Sequence, residues 1–245
     1  DKRNHCYDCK LDTEICGLTH TIAWGGIHAG KKQYNYKCKP HEVILDIDVD
    51  QLYPTLMIQY HLLSRAVEEP ERFKNILDTS LRLKREGKKK EREPYKRICN
   101  ITYGAEGDMF NPMYDPLHRN LVCVFGQVLI IDLLEKIEDL IELLQSNTDG
   151  IFVKLEKRNV PELKRRIAEW ENRTGLKMSY EAFTSIYQKD VNNYIAVPEG
   201  DLYDEKGKPR WHSKGAYVKE LGDLDYDLPI VNEAVKQYLL CGTSV

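Results

Sequence analysis

Apolar residues fall in two rhythms along this chain, and the switches between them divide it into elements. Residues 43–49, VILDIDV, are an apolar, β-branched run interrupted by Asp46 and Asp48, the pattern of a buried strand. Carboxylates in a buried strand need a chemical reason. Residues 52–65 change to helical spacing and 70–86 form a second helix. Gly87 then breaks the chain before a third helix over about 91–103, which predicts two antiparallel helices joined by a basic turn. From His118 to Leu144, Val122, Phe125, Leu129, Leu133, Ile137, Leu140 and Leu144 recur every three or four positions, which predicts one long amphipathic helix. The polar QSNTDG then leads into IFVKL, so 145–155 read as a hairpin with acids at its tip. Pro161 sits early in the next helix, where its missing N–H costs little, and that helix runs to about Thr174. Strands are predicted at 177–187, 191–197 and 211–219, with the loop EGDLYDEKGKP before the last, and a helix over 228–241. Residues 1–40, rich in Gly, His and Cys with a Gly25–Gly26 turn, read as short strands and loops.

Composition narrows the class without naming a function. At 245 residues, 42% hydrophobic and 31% charged, the chain has a soluble globular composition and room for one core with a small satellite. A run of about 18 apolar residues is absent, which removes a helical membrane span. The opening DKRNHCYDCK has no apolar core of a secretory signal, so an intracellular, cytoplasmic setting is expected. A polar start without Met reads as a trimmed segment. Seven cysteines, at 6, 9, 16, 38, 99, 123 and 241, do not read as a disulfide framework and fit a reducing interior. Cys6 and Cys9 make one CxxC near Cys16, Cys38, His5, His20, His28 and His41, but a second CxxC at a finger-like interval is lacking, so zinc is not expected. The net charge of −3 does not by itself suggest nucleic acid, but its distribution does. Arg82–Arg97 carries nine Lys/Arg against three Glu, a local +6, whereas Glu220–Pro229 carries four acids and no base.

The chemistry concentrates at two carboxylates. Asp48 lies on the strand and Asp149 at the hairpin tip. Joining a nucleotide to a primer 3′ hydroxyl needs an activated oxygen and a neutralised triphosphate, which two hard cations about 4 Å apart supply. Such cations take oxygen ligands, so carboxylates from different strands must converge. Asp46, Asp48 and Asp50 share one strand face; Asp46 and Asp50 either line the same site or meet water at the strand's end.

Three motifs in order turn this into a resemblance. D48-x-x-x-L52-Y53-P54 resembles motif A of family B DNA polymerases, K96-x-x-x-N100-x-x-Y103-G104 their motif B, and T148-D149-G150 their motif C; the wording NTDG, GAEGD and Gly126-Gln127 is similar to polymerases of tailed bacteriophages. The resemblance covers roughly residues 20–240. It implies an α+β polymerase palm, a mostly antiparallel sheet packed on helices, with a short two-helix fingers insertion and no complete thumb or exonuclease domain. The implied divisions are 1–66 for the N-terminal part and palm with motif A, 67–104 for the fingers, 105–220 for the palm with motif C and primer-binding strands, and 221–245 for the start of a thumb or a C-terminal helix. Two Mg²⁺ ions, replaceable by Mn²⁺, would be held by Asp48, Asp149 and the Val49 carbonyl. Tyr53 would lie under the incoming sugar and exclude a 2′ hydroxyl. Lys96, with one or two of Arg82, Lys84, Arg85 and Lys88, would meet the triphosphate, and Asn100, Tyr103 and Gly104 would floor the nascent base pair. Lys189, Tyr194 and Lys214 would contact DNA. The implied partners are primer–template DNA, deoxynucleoside triphosphates and a further chain or segment carrying thumb and exonuclease, all inside a bacterial host cell if the chain is phage-encoded.

The motifs also depart from the family. Gln51 stands where Ser is common, Asn147 where motif C has its first Asp, and Asn192-Asn193-Tyr194 where Lys-x-Tyr is usual, with Lys189 nearby. Asn is a weaker ligand than a carboxylate. Two rival classes follow: a metal-dependent nuclease, and a polymerase-like nucleic-acid-binding module weakened in catalysis. A reverse transcriptase fits less well, since its second motif has adjacent aspartates.

Overall fold

In the computed structural model, which describes residues 10–215, 218 and 228–243, two antiparallel sheets share one layer of side chains. The first has seven strands in the order β1-β2-β3-β6-β7-β5-β8: β1 Lys10–Ile15, β2 Leu18–Ala23, β3 Gly26–Gly30, β5 Glu42–Val49, β6 Glu142–Ser146, β7 Gly150–Glu156 and β8 Met178–Phe183. The second runs β11-β10-β9-β4: β4 Tyr34–Lys37, β9 Ser185–Asp190, β10 Asn193–Val197 and β11 His212–Lys214. Among the described residues six α-helices pack with them: α1 Leu52–Gln59, α2 Pro70–Arg85, α3 Lys89–Ala105, α4 Pro116–Ile137, α5 Val160–Thr174 and α6 Pro229–Cys241. The fold is the expected α+β class, a mostly antiparallel sheet on helices.

Strand alternation explains where the acids sit. Leu45, Ile47 and Val49 of β5 enter the large core with Leu52, Leu56, Leu133 and Trp170. Ile44 points the other way, into the small core with Leu144, Phe152, Phe183 and Ile186. Asp46 and Asp48 share Ile44's face, because successive side chains alternate. β5 lies between β7 and β8, so its backbone is paired on both sides and the strand is held rigidly.

Several predicted boundaries move. The helix read over 118–144 ends at Ile137; Leu140 lies in a single 3-10 turn and Leu144 in β6. β6 buries side chains on both faces, Leu143 in one core and Leu144 in the other, so its sequence carries no alternation to distinguish it from helix. The helix read over 52–65 stops at Gln59, and the chain turns at His61 with φ 55° before Leu62 and Leu63 bury in irregular backbone. The strand read over 177–187 is two strands in different sheets, with the crossing at Thr184, whose N–H and hydroxyl both reach the Val197 carbonyl. Gly87 does separate α2 from α3, with φ 70°. Cys6, Cys9 and His5 lie outside the described residues, as do parts of 211–219 and 221–245. Cys16, Cys38, Cys99, Cys123 and Cys241 are free thiols.

Candidate active site

Asp48 sits opposite Gly150 in the β5–β7 register, one residue from Asp149 in the β6–β7 turn. The turn is clamped from both sides: the Asn147 N–H donates to the Gly150 carbonyl at 2.7 Å, and the Val49 N–H donates to the Asp149 carbonyl at 2.7 Å. A Cβ at Gly150 would stand 3.0 Å from Asp48 Oδ1 and 3.3 Å from the Ile47 carbonyl. Glycine there lets the two acidic segments close together.

A cavity of about 330 Å³ opens at this junction, lined by Asp48, Val49, Gln51, Leu52, Tyr53, Pro54, Lys84, Arg92, Lys96, Asn100, Thr148 and Asp149. Motif residues from one strand, one turn and the helices α1 and α3, with Lys84 from α2, therefore face the same space. Burial, then the Asp149 charge, pushes Asp48 up to about 7, against the pull of Lys84 and Lys96. Burial, then Asp48, Glu181 and Asp149, pushes Asp46 up to about 7. Asp46 is thus half-buried inside the acidic cluster and is not a strand-end group meeting water. Asp50 lies in the turn after β5 and pairs with Lys84, which also donates to Ser179 Oγ at 3.2 Å.

Tyr53 is fixed by several neighbours. Its ring lies 4.4 Å from that of Tyr103, and its hydroxyl donates to the Gly25 carbonyl at 3.1 Å. Burial raises the Tyr53 hydroxyl above the ordinary tyrosine range. A Cβ at Gly126 would come within 3.3 Å of both Leu52 and Tyr53, so glycine there eases the close approach of α4 to α1. The Arg119 guanidinium lies 5.5 Å over the Tyr103 ring. At Gly104 a side chain would meet nothing within 4 Å, so no protein atom demands glycine at that exposed position.

Other expected residues lie apart from the cavity lining. Arg82 and Lys88 both engage Glu86, at 3.0 and 2.9 Å, at the exposed end of α2. Tyr194 packs edge-on against Phe152 at 5.3 Å, opposite Lys214 in register. Burial, then Asp46, raises Tyr194 to about 12, and Asp48 and Asp149 add to the rise, so the ring stands in the field of the acids. Lys189 and Lys214 are exposed on β9 and β11. Lys189 and Tyr194 border a separate, apolar cavity of about 320 Å³ with Val218, Val235 and Leu239.

Arg92 was not anticipated. It lines the acidic cavity, and its Nε is buried with no hydrogen-bond partner. It lies four residues before Lys96 on α3, a spacing that places both on one helix face. Gln51, the departure from Ser, adopts φ 51° and accepts from the buried Ser80 hydroxyl at 2.9 Å, tying the start of α1 to α2.

Whether this site suits divalent cations can be tested on its donors. Among the described residues, no group of three or more His, Cys, Asp and Glu gathers as a metal cluster. Two carboxylates do converge, and burial with the neighbouring Asp149 charge raises the Asp48 pKa. Hard-oxygen donors this close suit a divalent cation, whose charge relieves the repulsion that Asp149 exerts on Asp48.

The fold defines the chain as polymerase-palm-like. A solved structure sharing it is the family B DNA polymerase from the hyperthermophilic archaeon Pyrobaculum calidifontis, with a TM-score of 0.50 and 17% identity over 76% of this chain and 29% of that one. The likeness is one of fold, and the chain spans under a third of that polymerase's length. No protein-family model and no curated protein matches. Among the described residues, no helix is long and apolar enough to cross a membrane.

Proposed function

We propose that this chain carries the catalytic centre of a template-directed DNA polymerase, transferring a nucleotide from a deoxynucleoside triphosphate to a primer 3′ hydroxyl. The observation behind it is the single cavity that gathers Asp48 and Asp149 with Tyr53, Asn100 and three cations, Lys84, Arg92 and Lys96. Asp48, Asp149 and the Val49 carbonyl are the groups that would hold Mg²⁺ or Mn²⁺. Two such ions, when bound, acidify the primer hydroxyl and neutralise charge on the transferring phosphate. Lys96 and Arg92 would meet the triphosphate, where fixed cations offset charge on the leaving pyrophosphate. Tyr53, pinned by Gly25 and Tyr103, would present a rigid ring to the sugar, selecting the deoxy form. Lys189, Tyr194 and Lys214 would hold primer–template DNA by its backbone, which positions without reading sequence. The motif wording supports a phage-type origin, and with it a bacterial host and a further chain or segment for thumb and exonuclease.

The test is Mg²⁺-dependent extension of a primed template. Asp149→Ala is expected to lower extension at least about a hundredfold. Equal extension by both proteins would overturn the assignment. Degradation of the DNA with triphosphates ignored would favour a nuclease. Asn147, a neutral amide where motif C has its first Asp, favours a catalytically weakened binding module, which would bind primed DNA and extend none of it.

A further inference from the structure

The turn between β2 and β3 touches the proposed catalytic groups from outside the three motifs. His28 Nδ1 lies 3.0 Å from Asn147 Oδ1, beside Asp149 in the β6–β7 turn. A Cβ at Gly26 would stand 2.1 Å from Thr148 Oγ1 and 3.0 Å from His28 Nε2, so Thr148 and His28 both pack against this glycine and a larger residue would push their side chains aside. The Gly25 carbonyl accepts the Tyr53 hydroxyl at 3.1 Å. The β2–β3 turn is itself held: Gln127 of α4 donates to the Ala23 carbonyl at 2.7 Å and the Gly26 carbonyl at 3.0 Å, and β3 pairs with β6 at Ala29–Ser146. One rigid turn therefore sets the acidic turn on one side and Tyr53 on the other.

We propose that Gly26 and His28 are positioning residues for the Asp149 turn, and that the Asn147 side chain serves as His28's hydrogen-bond partner and not as a cation ligand. Asn147 then marks an exchange of roles in which a neutral amide clips the turn to β3. The consequence for rate rests on the polymerase reading; the clip itself does not.

His28→Ala, Asn147→Ala and the double variant test it, with His28→Asn as the conservative variant, since an Asn amide nitrogen can stand where Nδ1 stands. Both single variants are expected to lower kcat for nucleotide addition about tenfold through misplacement of Asp149, with the triphosphate KM within about twofold. The double variant should be no worse than either single, and His28→Asn should recover most of the loss. The Mg²⁺ concentration for half-maximal rate should stay that of wild type in Asn147→Ala; a marked rise in that variant alone would make Asn147 a ligand and overturn the proposal. Hydrogen exchange of the amides at 147–150 in metal-free protein gives a readout independent of activity. It should quicken equally in both single variants and return in His28→Asn. Unchanged exchange in His28→Ala would overturn the clip. Wild-type protein that extends no primer, yet shows the exchange pattern, would refute the polymerase reading while leaving the clip intact.

Discussion

The three cations facing the acidic cavity differ in what already holds them, and that ranks their value to a ligand. Lys84 is engaged with Asp50 and Ser179. Arg92 has a buried, unmatched Nε, and Lys96 acts on Asp48 only through its charge. A buried donor without a partner is costly until an acceptor arrives, so a triphosphate gains from Arg92, and the exposed Lys96 adds an ammonium that faces the same cavity. Arg92→Ala and Lys96→Ala should each raise the triphosphate KM about tenfold. Lys84→Ala should do less, and Arg82→Ala and Lys88→Ala, whose partners are Glu86, should stay within about twofold. Single-nucleotide incorporation at varied triphosphate concentration measures this, and a larger effect at Arg82 or Lys88 would contradict the ranking. That Asp48, Asp149 and Lys96 would be gathered at one place was legible from the sequence because their motifs are local words, and all three line the one cavity. Arg92 was within reach through its spacing from Lys96. His28 was not, because its partner Asn147 is 119 residues away and only the β3–β6 pairing brings them together.

At the scale of elements, one buried polar cluster joins the end of α3 to the start of α4. Asp115 caps α4, accepting from the His118 N–H at 3.3 Å, and takes two bonds of 2.8 Å from the Arg65 guanidinium. That pairing holds Asp115 well below the usual carboxylate range. Glu106, fully buried at the end of α3, accepts from the Ser64 N–H at 2.6 Å, yet burial pushes it up to about 7. The two acids act on stability with opposite signs. A depressed pKa adds stability above the unfolded value that is lost as pH falls, whereas a raised one costs stability as pH climbs from the unfolded value toward the folded one. Glu106→Gln should therefore gain on wild type between about pH 4.5 and 7, by up to roughly 3 kcal/mol, and hold that gain above. Denaturant unfolding at pH 5 and pH 8 checks it, and a difference that shrinks with rising pH would contradict it. Elements were legible where one face alone is buried, as in α2 and α5. They were misread where both faces are, since β6 extends the apolar spacing of α4 without a break and only the sheet separates them.

For the whole molecule, charge placement limits the grip on DNA. The formal net charge is −3, and the densest cations, at 82–97, sit on α2, α3 and their turn, several of them paired with Glu86 or Asp50. The strands proposed to follow the primer contribute the exposed Lys189 and Lys214 and the ring of Tyr194. Each phosphate neutralised contributes about −0.9 to the slope of log affinity against log salt on duplex DNA, so a footprint of two to four contacts gives a slope of roughly −2 to −4. Binding that shallow in its salt dependence is weak at physiological salt. The chain by itself is then expected to add about one to a few nucleotides per encounter before dissociating. Extension started together with an excess of unlabelled trap DNA measures that number. Products of the same short length at 50 and 150 mM salt, with fewer primers engaged at the higher, agree with a small phosphate footprint. Long products in the presence of trap would mean that the protein holds far more DNA than Lys189, Lys214 and Tyr194 account for.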